Sequence, residues 1–209
     1  MITDRRRPAA GGVDGLVRQV AAAARAGVHL VQIRERDLDA RALVDFVGAC
    51  VAAVHGLPTR IVVNDRTDVA LAARAHGVHL RADSVAPARI RPIVPPGFLI
   101  GRSVHSAEEA LHIDGGSADY LIFGPVFETL SKPGLAPAGP GALEAVVRAT
   151  TVPVLAVGGV TPETAAAVGR TGAAGVAAIG MFAGAPDEKA VQEALSRLRN
   201  AFDSASRRS

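Results

Sequence analysis

The apolar pattern along the chain changes repeatedly between the period of a strand and the period of a helix. Short runs of alternating or continuously apolar residues predict strands at 28–33, 61–63, 77–80, 98–100, 120–123, 152–157 and 175–179. Apolar residues between these runs recur at helical spacing. The helices are predicted after Gly11-Gly12, over 38–54, and after Arg66, Ser106, Gly141, Thr161 and Asp187.

Strands that alternate with helices predict a parallel sheet. Met1-Ile2-Thr3 has the composition of a short additional strand, which gives eight strands in all. We therefore expect an α/β chain that forms a single-domain (β/α)8 TIM barrel over 1–202, followed by a polar tail over 203–209. A doubly wound open sheet is the alternative, but it normally has fewer strands and a glycine-rich fingerprint after the first strand, which this chain lacks.

Composition narrows the function classes. The chain of 209 residues is 49% hydrophobic but only 3% aromatic, so its core is predicted to be aliphatic. The net charge of +3 and the lack of an aromatic and basic platform argue against nucleic-acid binding, and no apolar run approaches the roughly 20 residues of a membrane span. Cys50 is the lone cysteine, which favours a reducing cytoplasm. The sequence leaves the oligomeric state open, including a homo-oligomer.

The carboxyl ends of the strands of a barrel converge on its active face, and polar or small residues follow most of the predicted strands. Alternation places Gln32, Arg34 and Arg36 on one side of the second strand. Strand ends also supply Asn64, Asp65, Asp83, Ser103, Thr129, Ser131, Lys132, Gly158, Gly159, Ile179 and Gly180.

Two groups of these residues predict anion sites. Thr129, Ser131 and Lys132 lie on one loop and offer two hydroxyls and one of only two lysines in the chain, although a plain polar surface loop is the alternative. Small residues after the seventh and eighth strands allow backbone N–H groups to approach a phosphate, although glycines also form tight turns. Two anion sites predict two phosphorylated small-molecule substrates, or one substrate phosphorylated at both ends.

Asp65 and Asp83 are the candidate metal ligands. Mg²⁺ bound near a polyphosphate often uses only one or two protein carboxylates. The alternative for Asp65 is an ion pair with Arg66 or a helix cap. His79 lies within an apolar run, where a hydrogen-bonded structural histidine is the more common role.

Motifs along the whole chain resemble the thiamine phosphate synthase family. They are Ile2-Thr3-Asp4-Arg5, Val31-Gln32-Ile33-Arg34-Glu35-Arg36, Val63-Asn64-Asp65-Arg66, Gly77-Val78-His79-Leu80, Gly124-Pro125 through Lys132, Val157-Gly158-Gly159-Val160-Thr161 and the strand at 175–179. The resemblance implies a transferase that joins a pyrimidine pyrophosphate to a thiazole phosphate, with Mg²⁺ as cofactor.

The resemblance also implies roles for single residues. The pyrophosphate would be held by Arg34, Arg36, Asn64, Ser103 and Lys132, and its Mg²⁺ by Asp65 and Asp83. Gln32 would contact the pyrimidine. The thiazole and its phosphate would be held by Thr129, Ser131, Gly159, Ile179 and Gly180. The chemistry implied is dissociative, in which pyrophosphate leaves before the thiazole nitrogen attacks.

Some positions depart from the family pattern. Arg36 stands where the family usually has lysine. Counting from His79 places Ser84 opposite the family's second metal-binding aspartate. Asp83 takes that position only if the loop after His79 is one residue shorter in this chain. The segments 100–106 and 126–129 are more similar to the sister family of thiazole tautomerases. Tautomerases isomerise a carboxythiazole phosphate by proton transfer, which needs a titratable group at the position where this chain has Pro125. The tautomerase and a non-catalytic thiazole- or phosphate-binding barrel are therefore the alternatives.

Overall fold

The computed structural model describes residues 1–6, 11–129, 134–183 and 187–207. The chain divides into two compact units, each assembled from segments that are distant in sequence. The first unit comprises Met1–His79, Ile93–Leu99 and Ile179–Glu193. The second unit comprises Leu80–Pro92, Ile100–Ala178 and Ala194–Ser209.

Strands and helices alternate along the described ranges, as the changing apolar period predicts. The strands are β1 (Leu30–Ile33), β2 (Arg60–Asn64), β3 (Gly77–Leu80), β4 (Leu99–Val104), β5 (Tyr120–Phe123), β6 (Val154–Val157) and β7 (Gly175–Ala177). The helices are α1 (Gly12–Arg25), α2 (Ala40–Ala53), α3 (Thr67–Ala72), α4 (Pro87–Ile90), α5 (Ala107–Leu111), α6 (Gly139–Arg148), α7 (Pro162–Gly169), α8 (Gly180–Ala183) and α9 (Glu188–Ser206). Of these, α4 and α8 are short helices that the sequence pattern did not predict.

All strand pairs within each unit are parallel and follow the order of the sequence. In the first unit β1 pairs with β2, and β2 pairs with β3. In the second unit β4, β5, β6 and β7 pair in that order. Parallel strands need a crossover between them, and the helices supply it. Their carboxyl ends therefore meet at one edge of each sheet, which is where the candidate residues lie.

The N-terminal segment adds a short parallel bridge to the first unit. Ile2 pairs with Gln32, the N–H of Thr3 donates to the carbonyl of Gln32 at 3.0 Å, and the N–H of Gln32 donates to the carbonyl of Met1 at 2.9 Å. This is the position predicted for the additional strand. The structure thus contains one bridge here rather than a full strand.

The core of both units is aliphatic, as the composition predicts. Val31, Ile61 and Val62 are fully buried in the first unit, and Ile100 and Leu121 in the second. Because strands buried on both faces lie between layers of helix, they appear in the sequence as continuous apolar runs.

The helix ends follow local sequence signals. Asp39 caps α2 by accepting from the N–H of Ala42 at 2.9 Å, and Thr161 forms a capping box with Thr164 at the start of α7. Ser106 caps α5 by accepting from the N–H of Glu109 at 3.1 Å. The Glu109 carboxylate in turn accepts from the N–H of His105, the residue before the cap, at 2.8 Å.

The last helix, α9, extends through Ser206. It includes the first four residues of the polar segment predicted as a tail over 203–209. No helix in the described part of the chain combines the length and apolar content needed to cross a membrane.

Candidate active site

Two amide side chains meet at the carboxyl end of the first-unit strands. Gln32 lies on β1 and is only 4% exposed, whereas Asn64 ends β2 and is half-buried. The Nε2 of Gln32 donates to Oδ1 of Asn64 at 2.9 Å. The Oε1 of Gln32 is buried and accepts no hydrogen bond from a described residue. The structure therefore brings these two predicted residues together and leaves a buried acceptor for a donor from outside the chain.

Arg34 and Arg36 follow β1 directly. Arg34 is half-buried and Arg36 is exposed. Burial lowers the pKa of the Arg34 guanidinium, and the positive charge of Arg36 lowers it further. Neither side chain forms an ion pair or hydrogen bond with another residue in the described ranges. Two guanidiniums that repel each other and form no ion pair within the described ranges are a suitable site for a polyanion.

The N-terminal segment holds the loop that carries these arginines, and sequence reasoning did not assign it that role. The hydroxyl Oγ1 of Thr3, a buried residue, accepts from the N–H of Arg34 at 2.9 Å. The N–H of Arg5 donates to Oε2 of Glu35 at 3.0 Å, and its Nη2 donates to Oδ2 of Asp37 at 2.6 Å. Thr3 and Arg5 belong to a motif quoted for the family resemblance, but their partners lie about 30 residues away.

Asp65 begins the turn after β2 in a backbone conformation that is uncommon for a residue with a side chain. Its φ is 61°, in the left-handed region, and its N–H donates to the carbonyl of His79 at 2.8 Å. Aspartate tolerates this conformation better than most residues, although it still costs about 1–2 kcal/mol. Such strain at a strand end is consistent with a functional carboxylate. His79 itself is 2% exposed, as the structural reading of this histidine predicts.

Asp83 lies in the second unit, on the loop after β3. Its Oδ2 accepts from Nη2 of Arg81 at 2.5 Å, and its side chain is 68% exposed. The carboxylate is thus engaged by a neighbouring guanidinium. Among the residues that the structure describes, no three histidine, cysteine, aspartate or glutamate side chains cluster as a metal site.

Arg102, on β4, binds the loop that carries Asp83. It was given no role from the sequence. Its guanidinium donates to the carbonyls of Ala82, Ser84 and Val85 at 2.7, 3.0 and 2.8 Å. The planar guanidinium of this single arginine thereby donates to three backbone carbonyls.

Ser103 follows Arg102 on β4 and lines a cleft of about 340 Å³ in the second unit. Glu108, Glu109 and His112 of α5 and the segment after it also line this cleft. The cleft thus combines the hydroxyl of Ser103 with the guanidinium of Arg102 and the carboxylates of Glu108 and Glu109.

Gly158 and Gly159, after β6, are packed tightly against the loop that follows β5. Their φ values are 93° and 64°, and a Cβ on Gly159 would lie 2.4 Å from the carbonyl oxygen of Glu128. The N–H of Phe127 donates to the carbonyl of Gly158 at 3.0 Å. The N–H of Gly159 donates to no described residue. Glycine is therefore required here by turn and packing, and the same turn leaves an N–H available.

The remaining predicted residues lie at the edges of described segments. Thr129 is half-buried and ends the described part of the loop after β5, while Ser131 and Lys132 lie outside the described residues. Ile179 and Gly180 belong to the first unit, where Gly180 begins α8. The carbonyl of Phe182 on α8 accepts from Nε2 of Gln19 at 2.6 Å, which fixes α8 against α1.

Known proteins are similar to this chain in sequence and in fold. A thiamine-phosphate synthase of Roseiflexus castenholzii is 40% identical over 196 residues, which are 93% of this chain and 85% of that protein. A thiamine-phosphate synthase of Chlorobium luteolum is 35% identical over 85% of this chain and 84% of its own length. The structure of a thiamine phosphate pyrophosphorylase from Pyrococcus furiosus matches with a TM-score of 0.82 and 32% identity, covering 98% of this chain and 94% of that one.

The family model of thiamine monophosphate synthases matches residues 1–182, which is most of the chain. The resemblance found in the sequence motifs is confirmed, and this chain belongs to the thiamine monophosphate synthase family.

Proposed function

We propose that the chain couples hydroxymethylpyrimidine pyrophosphate to thiazole phosphate and releases pyrophosphate, the thiamine-phosphate synthase reaction. Family membership makes it a transferase that acts on small phosphorylated substrates, as predicted. The observation that carries the proposal is the pair of arginines, Arg34 and Arg36, which form no ion pair with a described residue and follow the strand that carries Gln32 of the Gln32–Asn64 amide pair.

In this proposal the pyrophosphate binds to Arg34, Arg36 and Asn64 of the first unit, with Ser103 and Lys132. Its negative charge offsets the mutual repulsion of the two guanidiniums, and charge-assisted hydrogen bonds form to side chains that have no partner among the described residues. The buried Oε1 of Gln32 is left to accept from a donor on the pyrimidine. Both contacts orient the bond between the pyrimidine methylene carbon and the pyrophosphate oxygen.

The reaction proposed is dissociative. The carbon–oxygen bond breaks with both electrons going to the pyrophosphate, and the thiazole nitrogen then donates its lone pair to the pyrimidine-methyl cation. No strong base is needed, because the chain's contribution is to stabilise the leaving charge and exclude water. A site with several phosphate-binding groups suits this chemistry, and His79, on β3, is buried.

We propose that thiazole phosphate binds through Thr129, Ser131, Gly158, Gly159, Ile179 and Gly180. Support comes from the N–H of Gly159, which donates to no described residue. Phosphate is commonly held by such backbone groups in barrels. A closed (β/α)8 barrel is the corresponding fold proposal, and the Ile2–Gln32 bridge is consistent with its first strand.

Mg²⁺ is the proposed cofactor. Asp65 fits this role, because a hard carboxylate held at a strand end is the ligand that Mg²⁺ uses beside a polyphosphate. Asp83 fits less directly, since its carboxylate would have to leave Arg81. When bound, the ion would neutralise part of the charge that develops on the pyrophosphate.

The test is to incubate the purified chain with both substrates and Mg²⁺ and to assay thiamine phosphate. Product that disappears with a chelator supports the synthase and its metal. Absence of product despite measurable thiazole phosphate binding contradicts the proposal. An assay of carboxythiazole isomerisation then distinguishes a tautomerase from a non-catalytic binder.

A further inference from the structure

Each arginine of the segment Arg34-Glu35-Arg36-Asp37 is followed by an acidic residue. Left to themselves, neighbouring opposite charges neutralise one another, and a segment of this composition would offer little attraction to an anion. The structure arranges the charges differently, because the two carboxylates are held by an arginine from elsewhere in the chain.

That arginine is Arg5. Its N–H and its Nη2 reach the two carboxylates, Glu35 at 3.0 Å and Asp37 at 2.6 Å, and its Nε lies 3.9 Å from the Glu35 Oε2. The Glu35 side chain is 2% exposed and the Asp37 side chain 48% exposed. A buried carboxylate requires such a partner, because an unpaired charge in the interior is costly.

Asp4 is the other acidic group that acts electrostatically on Arg34. It is also engaged, since its Oδ1 lies 3.6 Å from Nε of Arg6 and accepts from the N–H of Arg6 at 3.3 Å. Asp4 and Glu35 thus act on Arg34 electrostatically without forming an ion pair with it, and arginines of the N-terminal segment contact both carboxylates. Arg34 and Arg36 themselves form no ion pair with a residue in the described ranges.

We propose that Arg5 is a positioning residue: it holds Glu35 and Asp37 away from Arg34 and Arg36 and so keeps both guanidiniums available to pyrophosphate. Arg5 acts through the charges beside the arginines and does not itself contact the ligand. The inference rests on the proposed function, in which these two arginines bind pyrophosphate.

The test uses isothermal titration of the full chain with inorganic pyrophosphate in the presence of Mg²⁺. Arg5→Met removes the guanidinium but keeps the backbone N–H and a similar side-chain length. Glu35 remains bonded to the backbone N–H, so Asp37 is the carboxylate that is set free to pair with the arginines. The Kd for pyrophosphate should rise about fivefold, because one exposed ion pair is worth up to about 1 kcal/mol.

The double variant Arg5→Met/Asp37→Asn provides the decisive comparison. If competition between charges causes the loss, removal of the released carboxylate should restore Kd to within about 1.5-fold of the wild type. Arg25→Met is the matched control, because it breaks a comparable exposed pair of the same unit, with Glu188 at 2.6 Å, and should leave Kd unchanged.

Steady-state kinetics give an independent readout. Arg5→Met should raise the KM for the pyrimidine pyrophosphate and leave the KM for thiazole phosphate unchanged. An unchanged Kd in Arg5→Met, or a loss that Asp37→Asn does not repair, overturns the inference. A wild-type chain that fails to bind pyrophosphate instead overturns the proposed function, and the inference with it.

Discussion

Gln32 and Asn64 form a partly buried amide pair in which Nε2 of Gln32 donates to Oδ1 of Asn64 at 2.9 Å. The pair uses the donor of Gln32 and leaves its Oε1 without a partner among the described residues. An unsatisfied buried acceptor costs about 1–3 kcal/mol. The fold thus retains an unfavourable polar atom at the end of β1, and a ligand donor would relieve it.

We therefore expect Gln32→Leu to affect binding more than stability. The KM for the pyrimidine pyrophosphate should rise by about tenfold or more, while the free energy of unfolding changes by less than about 1 kcal/mol, because one unsatisfied atom is removed as another is created on Asn64. Steady-state kinetics and urea unfolding measure the two quantities. Gln19→Leu, which removes a 2.6 Å bond to the carbonyl of Phe182, should leave that KM unchanged; an equal rise would contradict the assignment.

The metal proposal can be tested at Asp65 without disturbing its backbone. Asn tolerates a φ of 61° as well as Asp does, so Asp65→Asn removes the charge and retains the turn. The Mg²⁺ concentration for half-maximal activity should rise at least about tenfold, and titration of Mn²⁺ binding by electron spin resonance should weaken in parallel.

Asp68→Asn is the matched control for that substitution. Asp68 lies three residues further on, is exposed, and pairs with Arg66 at 2.6 Å. The metal dependence of this variant should equal that of the wild type. If both variants shift alike, a general loss of negative charge rather than a ligand is responsible.

Much of the fold follows from local sequence, but the pairing of side chains does not. The bounds of β3 and β5 agree with the prediction because both strands are continuously buried and stand out as apolar runs. The short helices α4 and α8 were missed because four residues are too few to show a helical period. Gly77 begins β3, as predicted, but its packing was not: a Cβ there would lie 2.2 Å from the carbonyl oxygen of Leu99.

In the candidate site, too, the sequence predicts which residues lie at the strand ends but not how their side chains pair. The strand ends were predicted to carry Gln32, Arg34, Asn64 and Asp65, because alternation and strand length fix which residues follow a strand. The contacts of Arg5 with Glu35 and Asp37 join residues 30 and 32 positions apart. No local pattern specifies which of several arginines meets which carboxylate, so the sequence alone does not predict this arrangement.

Substitution of Gly159 by alanine should destabilise the protein, because there is no space for a Cβ at this position. Gly159→Ala would place a Cβ 2.4 Å from the Glu128 carbonyl oxygen and 2.7 Å from the Phe127 Cβ, at a φ of 64°. We expect a loss of at least about 2 kcal/mol in the free energy of unfolding, together with a raised KM for thiazole phosphate. Gly141→Ala is the control, because that position in α6 has open space and should be neutral or stabilising by about 0.5–1 kcal/mol.

Arg102 should control the order of the loop that carries Asp83. Arg102→Ala removes the donors to three carbonyls, and each lost hydrogen bond is worth about 1 kcal/mol. Amide hydrogen exchange over 81–86 should accelerate by about tenfold or more, and Arg102→Lys should restore only part of the protection, because an ammonium lacks the planar fork. Arg148→Ala, which breaks an exposed pair with Glu144, should leave exchange in this loop unaltered.

His76 should make stability depend on pH in the mildly acidic range. Its Nδ1 accepts from the N–H of Ile61 at 2.9 Å, which requires an unprotonated nitrogen. Burial lowers the pKa of His76, and the charge of Arg60 lowers it further. The unfolded chain therefore takes up this proton at a higher pH than the folded chain, so the contribution to stability is complete above the unfolded pKa of about 6.5 and is lost as pH falls through the folded value.

The measurement is the free energy of unfolding at pH 7.5 and pH 5.5 for the wild type and His76→Gln. The wild type should lose about 0.5–1 kcal/mol more than the variant over this interval, because only the wild type must give up the acceptor at Nδ1. His29→Gln, at an exposed histidine, should retain the wild-type slope. Parallel curves for wild type and His76→Gln would show that His76 keeps its proton affinity on folding and that the bond to Ile61 does not depend on its ionisation.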